Sequence, residues 1–420
     1  MRVFDNLKIA INYPSKGKVV LVMWLFMPFI LAVSRFVFNS FGLSEGFTRD
    51  IFLTCISMLP MFFFFNKIKS FNHANYIKFF VLLFVVLSGL ILTVLLQPDM
   101  KDFFIRSNYG LERVLRPDCA IYAFLFFSLV DNPEDVLESI KAYAAVDLVF
   151  LVLVELLPAI NRGYWLDVGP YGEEIELPYS LSFGYSMLFP TITFIYFAIT
   201  GKSFKYALLS ILGLVCIFTQ GNRGAILMII IFLGLMYIRN IKDSKNELRK
   251  ILKGAILILL ILIFICFNES ILESVINLLE SFGVTSRNFE MISSGTFTND
   301  NGRMIIWGTV FNAILDNPIF GYGIYGDRPF VLPFHYVGYS HNIFLELLIS
   351  FGLIGVICSY MLIKFAYKMI LFCKSKEWRD IFIILFSVSC QLLISMSFWY
   401  VFEFWAALAI VYKCKRLNYI

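Results

Sequence analysis

Apolar runs separated by short polar segments recur along the whole chain. They fall at Val19–Val33, Ile51–Phe65, Phe79–Leu96, Cys119–Val130, Ala142–Pro158, Leu181–Thr200, Tyr206–Thr219, Ala225–Ile238, Gly254–Phe267, Ile343–Ile363, Ile381–Met396 and Trp399–Tyr412. A helix crosses the hydrocarbon core with roughly 17–25 predominantly apolar residues. The shorter runs therefore need flanking residues to complete them, and Cys119–Val130 is the weakest of the set. Only Ser397 and Phe398 separate the last two runs, which suits a helical hairpin. The pattern predicts an all-α polytopic membrane protein with about 12 transmembrane helices. Residues 1–267 form an N-terminal bundle of about nine spans, 268–341 a large outer loop, and 342–420 the C-terminal helices. Two stretches of that loop, ESILESVINLLESFG and GRMIIWGTVFNAILDN, carry apolar residues at helical spacing. A loop of this length is uncommon unless it has a function.

Lysine and arginine placement sets the expected orientation. With the N-terminus inside, 24 of the 35 basic residues fall on inner segments. The opposite orientation reverses that bias. An even number of spans then leaves both termini in the cytoplasm. The first apolar run lacks a small-residue cleavage site after it and is expected to stay as a span. Two further outer segments stand out. Gln97–Asp118 is basic, with Arg106, Arg113 and Arg116, and Asn161–Ser180 is acidic, with Glu173, Glu174 and Glu176.

Composition agrees with the pattern. Apolar residues make up 59% of the chain and charged residues 15%, too little charge to cover a soluble surface of this size. The net charge of +5 is spread over short loops, so it reports topology and not a nucleic-acid face. Eight cysteines with no CxxC pair disfavour a disulfide framework or a metal site.

Charge and glycine at the outer span ends mark the candidate chemistry. Arg223, in Gln220-Gly-Asn-Arg-Gly-Ala225, opens a span between two glycines, where a guanidinium can fork onto a phosphate. An interfacial arginine reaching for lipid headgroups explains it equally well. Arg303 stands in the first turn of a helix, where a cation opposes the helix dipole and a bound anion would relieve the conflict. A surface pairing with Asp300 is the plain alternative. Gly321 and Gly323, in Asn317-Pro-Ile-Phe-Gly-Tyr-Gly323, make an irregular turn that resembles a phosphate cradle only weakly and lacks the P-loop ending. His341 sits at the rim of the next span, where it can act as a base or as a polar anchor. Asn342 and Glu346 share a helix face, which turns Glu346 toward the protein interior beside that rim. Asp147, Glu155 and Glu403 lie within spans, where pairing with arginine is favoured over a proton path.

Taken in order, Arg223-Gly-Ala225, Gly302-Arg-Met-Ile-Ile-Trp307, Asn317-Pro-Ile-Phe-Gly-Tyr-Gly323 and Ser340-His-Asn-Ile-Phe-Leu-Glu346 through Gly352 and Gly355 resemble the O-antigen polymerase and O-antigen ligase superfamily. The resemblance covers roughly the last half of the chain; the first half matches in hydropathy alone. It implies a glycosyltransferase at the outer face of the bacterial inner membrane, with an undecaprenyl-pyrophosphate-linked oligosaccharide as donor and no cofactor or metal. It implies that Arg223 and Arg303 bind pyrophosphate and that His341 activates or positions the acceptor hydroxyl, with Asn342, Glu346, Gly321 and Gly323 in support. The reading taken is a polymerase of lipid-linked repeat units for O-antigen or capsule, with a chain-length regulator as a candidate partner beside membrane lipid. A ligase acting on lipid A–core is the near alternative. A lipid-linked oligosaccharide flippase is the more distant one; it predicts repeated halves and a site at mid-membrane depth.

Overall fold

A computed structural model describes residues 15–42, 46–96, 98, 112–168, 174–243, 302–333 and 338–420. The run at 254–267, the first helical stretch of the long loop, Arg106 and His335 lie outside the described residues. The protein is nearly all-α. Among the described residues, six helices are long and apolar enough to cross a membrane: Phe47–Asn66, His73–Leu95, Pro133–Arg162, Leu181–Gly201, Arg223–Ile241 and Leu353–Phe372. Lys16–Leu25 and Met27–Ser40 make a seventh if this pair, bent by 47°, is one span. The described residues thus do not confirm the expected count of about 12. Several predicted runs are helices too short for that measure, such as Phe204–Thr219, Lys376–Ser389 and Phe402–Arg416.

Prolines explain why several spans are broken. Pro28, Pro60, Pro158 and Pro190 each follow a helix interruption by two or three residues. A proline in a helix removes one N–H and crowds the carbonyl four residues back. At residues 151–156 the interruption takes the form of a π-helical turn.

Burial separates a central layer from a peripheral one. Ala123–Ser128 and nearly all of Lys376–Ser389 are buried, which is how such short helices sit in the bundle without facing lipid. Phe402–Arg416 packs against both. At the periphery, Phe47–Asn66 and Leu353–Phe372 bury few side chains and expose Phe62, Ile354 and Ile357, as helices solvated by hydrocarbon should.

Buried ion pairs tie the far end of the bundle together. The Arg239 guanidinium donates to both Asp380 oxygens, Nε–Oδ1 at 2.9 Å and Nη2–Oδ2 at 2.5 Å, and the Tyr196 hydroxyl donates to Asp380 at 3.0 Å. This forked pair joins three helices. Nearby, Lys413 pairs with Asp131 at 3.0 Å and donates to the Val130 carbonyl.

Two expectations need correction. Asp147, Glu155 and Glu403 form no ion pair with arginine among the described residues; their electrostatic neighbours are one another. Asp147 and Glu155 share the helical run Pro133–Arg162, and Glu403 lies on Phe402–Arg416. The acidic segment 161–180 is not wholly loop, because Trp165–Val168 and Glu174–Leu177 pair as an antiparallel hairpin. Trp165 packs its ring 4.7 Å from that of Phe183, which holds the hairpin against the bundle.

Candidate active site at the Arg223 end of the bundle

The turn before Arg223 is pinned at each residue. Gln220 accepts from the Ser180 N–H at 2.7 Å, and Asn222 donates to the Leu181 carbonyl at 2.9 Å while capping the next helix through the Ala225 N–H. Gly221 has φ of 68°, the left-handed region that glycine enters without steric cost. Gly224 admits the Tyr185 hydroxyl so closely that a Cβ there would lie 2.0 Å from it. Half-buried Arg223 therefore starts its helix directly beside Tyr185.

Arg303 starts another helix, after Gly302 with φ of 78°. One turn further on, Trp307 Nε1 donates to the Ser340 carbonyl at 3.1 Å. Positions four apart share a helix face, so this bond directs the Arg303 side of the helix toward residues 340–341. The Tyr185 phenol lies within the electrostatic reach of both Arg303 and Arg223. The Tyr339 phenol lies within reach of Tyr185, and its ring centroid is 4.4 Å from that of His341. Residues 223, 303 and 341, far apart in the chain, are thus gathered around two tyrosines.

His341 is 9% exposed and holds φ of 52°, a left-handed conformation rare for side chains other than Asn, Asp and His. Asn342 next to it caps the helix Ile343–Phe351: its side-chain oxygen accepts from the Phe344 and Leu345 N–H groups, and its amide donates to the Leu393 carbonyl at 3.1 Å. Asn342→Ala is expected to cost about 1 kcal/mol, read as a lowered melting temperature of the detergent-purified chain. An unchanged melting temperature would count against this cap as the anchor of the His341 turn.

Gly321 and Gly323 do not offer their amides to a ligand. The Gly321 N–H donates to the Asn317 carbonyl and the Gly323 N–H to the Ser350 carbonyl. A Cβ on Gly321 would come 2.7 Å from the Ile349 carbonyl oxygen, and one on Gly323 2.2 Å from Thr93 Oγ1. They let the turn press onto the break between helices Ile343–Phe351 and Leu353–Phe372.

Beneath the turn lies a charged network that sequence reasoning missed. Arg328 and Asp327 are fully buried. Arg328 Nη1 donates to both Asp327 oxygens at 2.8 and 2.9 Å, and Nη2 lies 3.4 Å from Glu346 and 3.2 Å from Ser397. Asp327 also accepts from the Ser340 N–H at 2.8 Å and from its hydroxyl at 2.5 Å, and Glu346 accepts from the Ser397 hydroxyl at 2.5 Å. The guanidinium faces the rings of Tyr325 and Tyr339, at 5.2 and 5.5 Å. Burial works against its charge, but Asp327 and Glu346 outweigh it and raise its affinity for the proton. Burial likewise pushes the Tyr339 phenol upward, so it stays a neutral hydroxyl. The network cannot reach solvent; it fixes Ser340, and so the backbone that carries His341. The signal for it was an Asp-Arg pair directly after the glycines of the 317–326 turn, in a segment that reads as surface loop.

Fold and site define a polytopic membrane protein with two arginines and a histidine gathered at one end of its helices. Residues 208–360 match the model of a family described as O-antigen ligase. That match makes this part of the chain similar to the family and agrees with the resemblance carried by its motifs. Arg223, Arg303 and His341 all fall inside the matched region. No curated protein matches the chain.

Proposed function

We propose that the chain is a glycosyltransferase that polymerises undecaprenyl-pyrophosphate-linked repeat units at the outer face of the bacterial cytoplasmic membrane. The observation that carries this reading is that Tyr185, packed on Gly224 beside Arg223, lies within electrostatic reach of both Arg223 and Arg303 and of Tyr339, whose ring is 4.4 Å from that of His341. In the reaction, His341 takes the proton of the acceptor sugar hydroxyl. The hydroxyl oxygen forms a bond to the anomeric carbon of the donor as the bond from that carbon to the pyrophosphate oxygen breaks. The pyrophosphate leaves on its lipid with the electron pair, and the two arginines stabilise the developing charge. No nucleotide is consumed, because the pyrophosphate link is already activated.

The ligase reading draws support from the description of the matched family. The two differ in acceptor and therefore in product. In a strain lacking the chromosomal copy, plasmids carrying wild type, Arg223→Ala or Arg303→Ala are compared by gel electrophoresis of cell-surface polysaccharide. The expected result for each variant is a collapse of the ladder to single repeat units on lipid A–core. Complete loss of polysaccharide from the core would replace the polymerase reading with the ligase one. A normal ladder in both variants would remove the pyrophosphate role. The flippase reading fits less well, since the charged candidates cluster at helix ends and not at mid-span.

A further inference from the structure

A basic cleft adjoins the His341 cluster through Tyr400. It has a volume of about 900 Å³ and runs between the helices Met27–Ser40 and Phe47–Ser57 to the segment 116–120 and to Trp399 and Tyr400. That volume is within the roughly 300–1,000 Å³ of pockets that hold small-molecule ligands. Arg35, Arg49 and Arg116 line it. Arg49 contacts Asp50 at 3.2 Å, and Arg116 Nε donates to Asp118 at 3.0 Å. Exposed Arg35 has neither an ion pair nor a hydrogen-bond partner among the described residues. The guanidinium groups thus outnumber the carboxylates of the cleft by one. Pro28, Leu31 and Leu53 are among its other lining residues, so the cleft offers apolar surface as well as cationic groups.

Its position relative to His341 gives it meaning. Tyr400 lines the cleft, and its ring centroid is 6.2 Å from that of Tyr339, whose ring contacts that of His341 at a tilt of 55°. Tyr339 also senses Tyr185, and through it the Arg223 and Arg303 side. The Tyr339–His341 pair thus adjoins the cleft through Tyr400 and lies within electrostatic reach of Tyr185 on the Arg223 side. A group-transfer enzyme whose donor and acceptor are both anionic lipids needs this arrangement, since each headgroup needs its own counter-charge while the two sugars meet at the base. The basic residues outside the predicted inner segments are also nearly all arginine, Lys101 being the exception, whereas lysine predominates on the inner ones. Arginine forks onto phosphate where lysine offers a point charge.

We infer that the Arg35–Arg49–Arg116 cleft is a second lipid-pyrophosphate site, which holds the acceptor while Arg223 and Arg303 hold the donor. This deepens the glycosyl-transfer reading and rests on it. The apolar wall takes the first part of the prenyl chain, and the arginines take the pyrophosphate. The acceptor sugar then extends past Tyr400 toward His341.

Native mass spectrometry of the full chain with farnesyl pyrophosphate tests this. Wild type is expected to bind two equivalents. Arg35→Ala with Arg116→Ala should lose one, its affinity falling roughly tenfold or more as charge-assisted bonds are removed. Arg223→Ala with Arg303→Ala should lose the other. A single equivalent on wild type, or two on the Arg35/Arg116 variant, overturns the proposal. Loss of one equivalent from the Arg35/Arg116 variant, with none lost from the Arg223/Arg303 variant, upholds the cleft and defeats the donor site instead. Phosphatidylglycerol is the competing probe: displacement of the cleft equivalent at equal concentration would make it a general lipid-headgroup site and overturn the acceptor assignment. Should the double variant melt early, Arg35→Glu carries the test alone, because that exposed side chain can reverse its charge without emptying packed space. It should then bind one equivalent, and binding of two would count against the proposal.

Discussion

Replacing His341 with asparagine is expected to abolish the polysaccharide ladder in a complemented null strain, with lipid-linked repeat units accumulating in the membrane. A sugar hydroxyl is a weak nucleophile, and a positioned base contributes about 10²–10⁴-fold to such a transfer; a loss of that size empties the ladder. Asparagine is the informative replacement. The backbone at 341 has φ of 52°, and asparagine tolerates this left-handed conformation better than alanine does. His341→Asn therefore keeps the turn and removes the proton acceptor. His341→Ala should be equally inactive but somewhat less stable. A normal ladder from His341→Asn would show that the position matters for its backbone alone, and the catalytic role would fall. Wild-type melting of the purified variant, with transfer lost, is the combination that separates chemistry from folding.

Arg328→Met is expected to be the most damaging substitution for stability. Methionine fills most of the volume of the arginine side chain but leaves Asp327 and Glu346, both buried, without their shared cation. Removing one partner of a buried ionic network costs about 3–5 kcal/mol, a large share of the 5–15 kcal/mol typical of a whole protein. Purified Arg328→Met should show a markedly lower melting temperature, or fail to accumulate in the membrane. The triple variant Arg328→Met, Asp327→Asn, Glu346→Gln should recover much of that loss, since it no longer buries uncompensated charge. A single variant as stable as wild type would mean that water or another group satisfies the carboxylates. Activity should fall along with stability, because Asp327 holds Ser340 through both its N–H and its hydroxyl, next to the catalytic candidate.

The two experiments probe different parts of one design. Arg223 and Arg303, the proposed pyrophosphate ligands, stand at helix starts, where they are partly exposed. Arg328 is withdrawn from solvent and held by carboxylates and aromatic rings. The backbone at Ser340 is tied to the Arg328 network through Asp327.

What could be read from the chain alone, and what could not, follows from the solvent each part faces. Lipid demands apolar runs, so helices such as His73–Leu96 and Arg223–Asp243 were legible in the hydropathy, whereas the last two helices, Lys376–Ser389 and Phe402–Arg416, are joined through residues 390–401 and not by Ser397 and Phe398 alone. The single-turn geometry at Asn342 and Glu346 was legible too. Spacing of four places both on one face, and the structure has Asn342 capping the helix and Glu346 buried beneath it. Local rules of this sort operate over a few residues and need no partner from elsewhere. The number of helices able to cross a membrane was less legible, because a short apolar run reads the same whether it spans lipid or is wrapped by other helices, as Ala123–Ser128 and Lys376–Ser389 are.

Tertiary structure alone decided the rest. Asp327 and Arg328 sit in a glycine-rich turn that any sequence reading assigns to the surface. Only the approach of Glu346, Ser340 and Ser397 from other segments buries them and supplies most of their partners. The amides of Gly321 and Gly323 are taken by the Asn317 and Ser350 carbonyls, the second of them contributed by the helix that ends at Gly352. Arg223 and Arg303 were separate candidates along the chain, and Tyr185 between them carried no motif of its own. Sequence determines where a chain must be apolar and where a helix can begin, because those depend on near neighbours and on the surrounding medium. Which charges share a pocket depends on how distant helices pack, and that is settled only when the bundle closes.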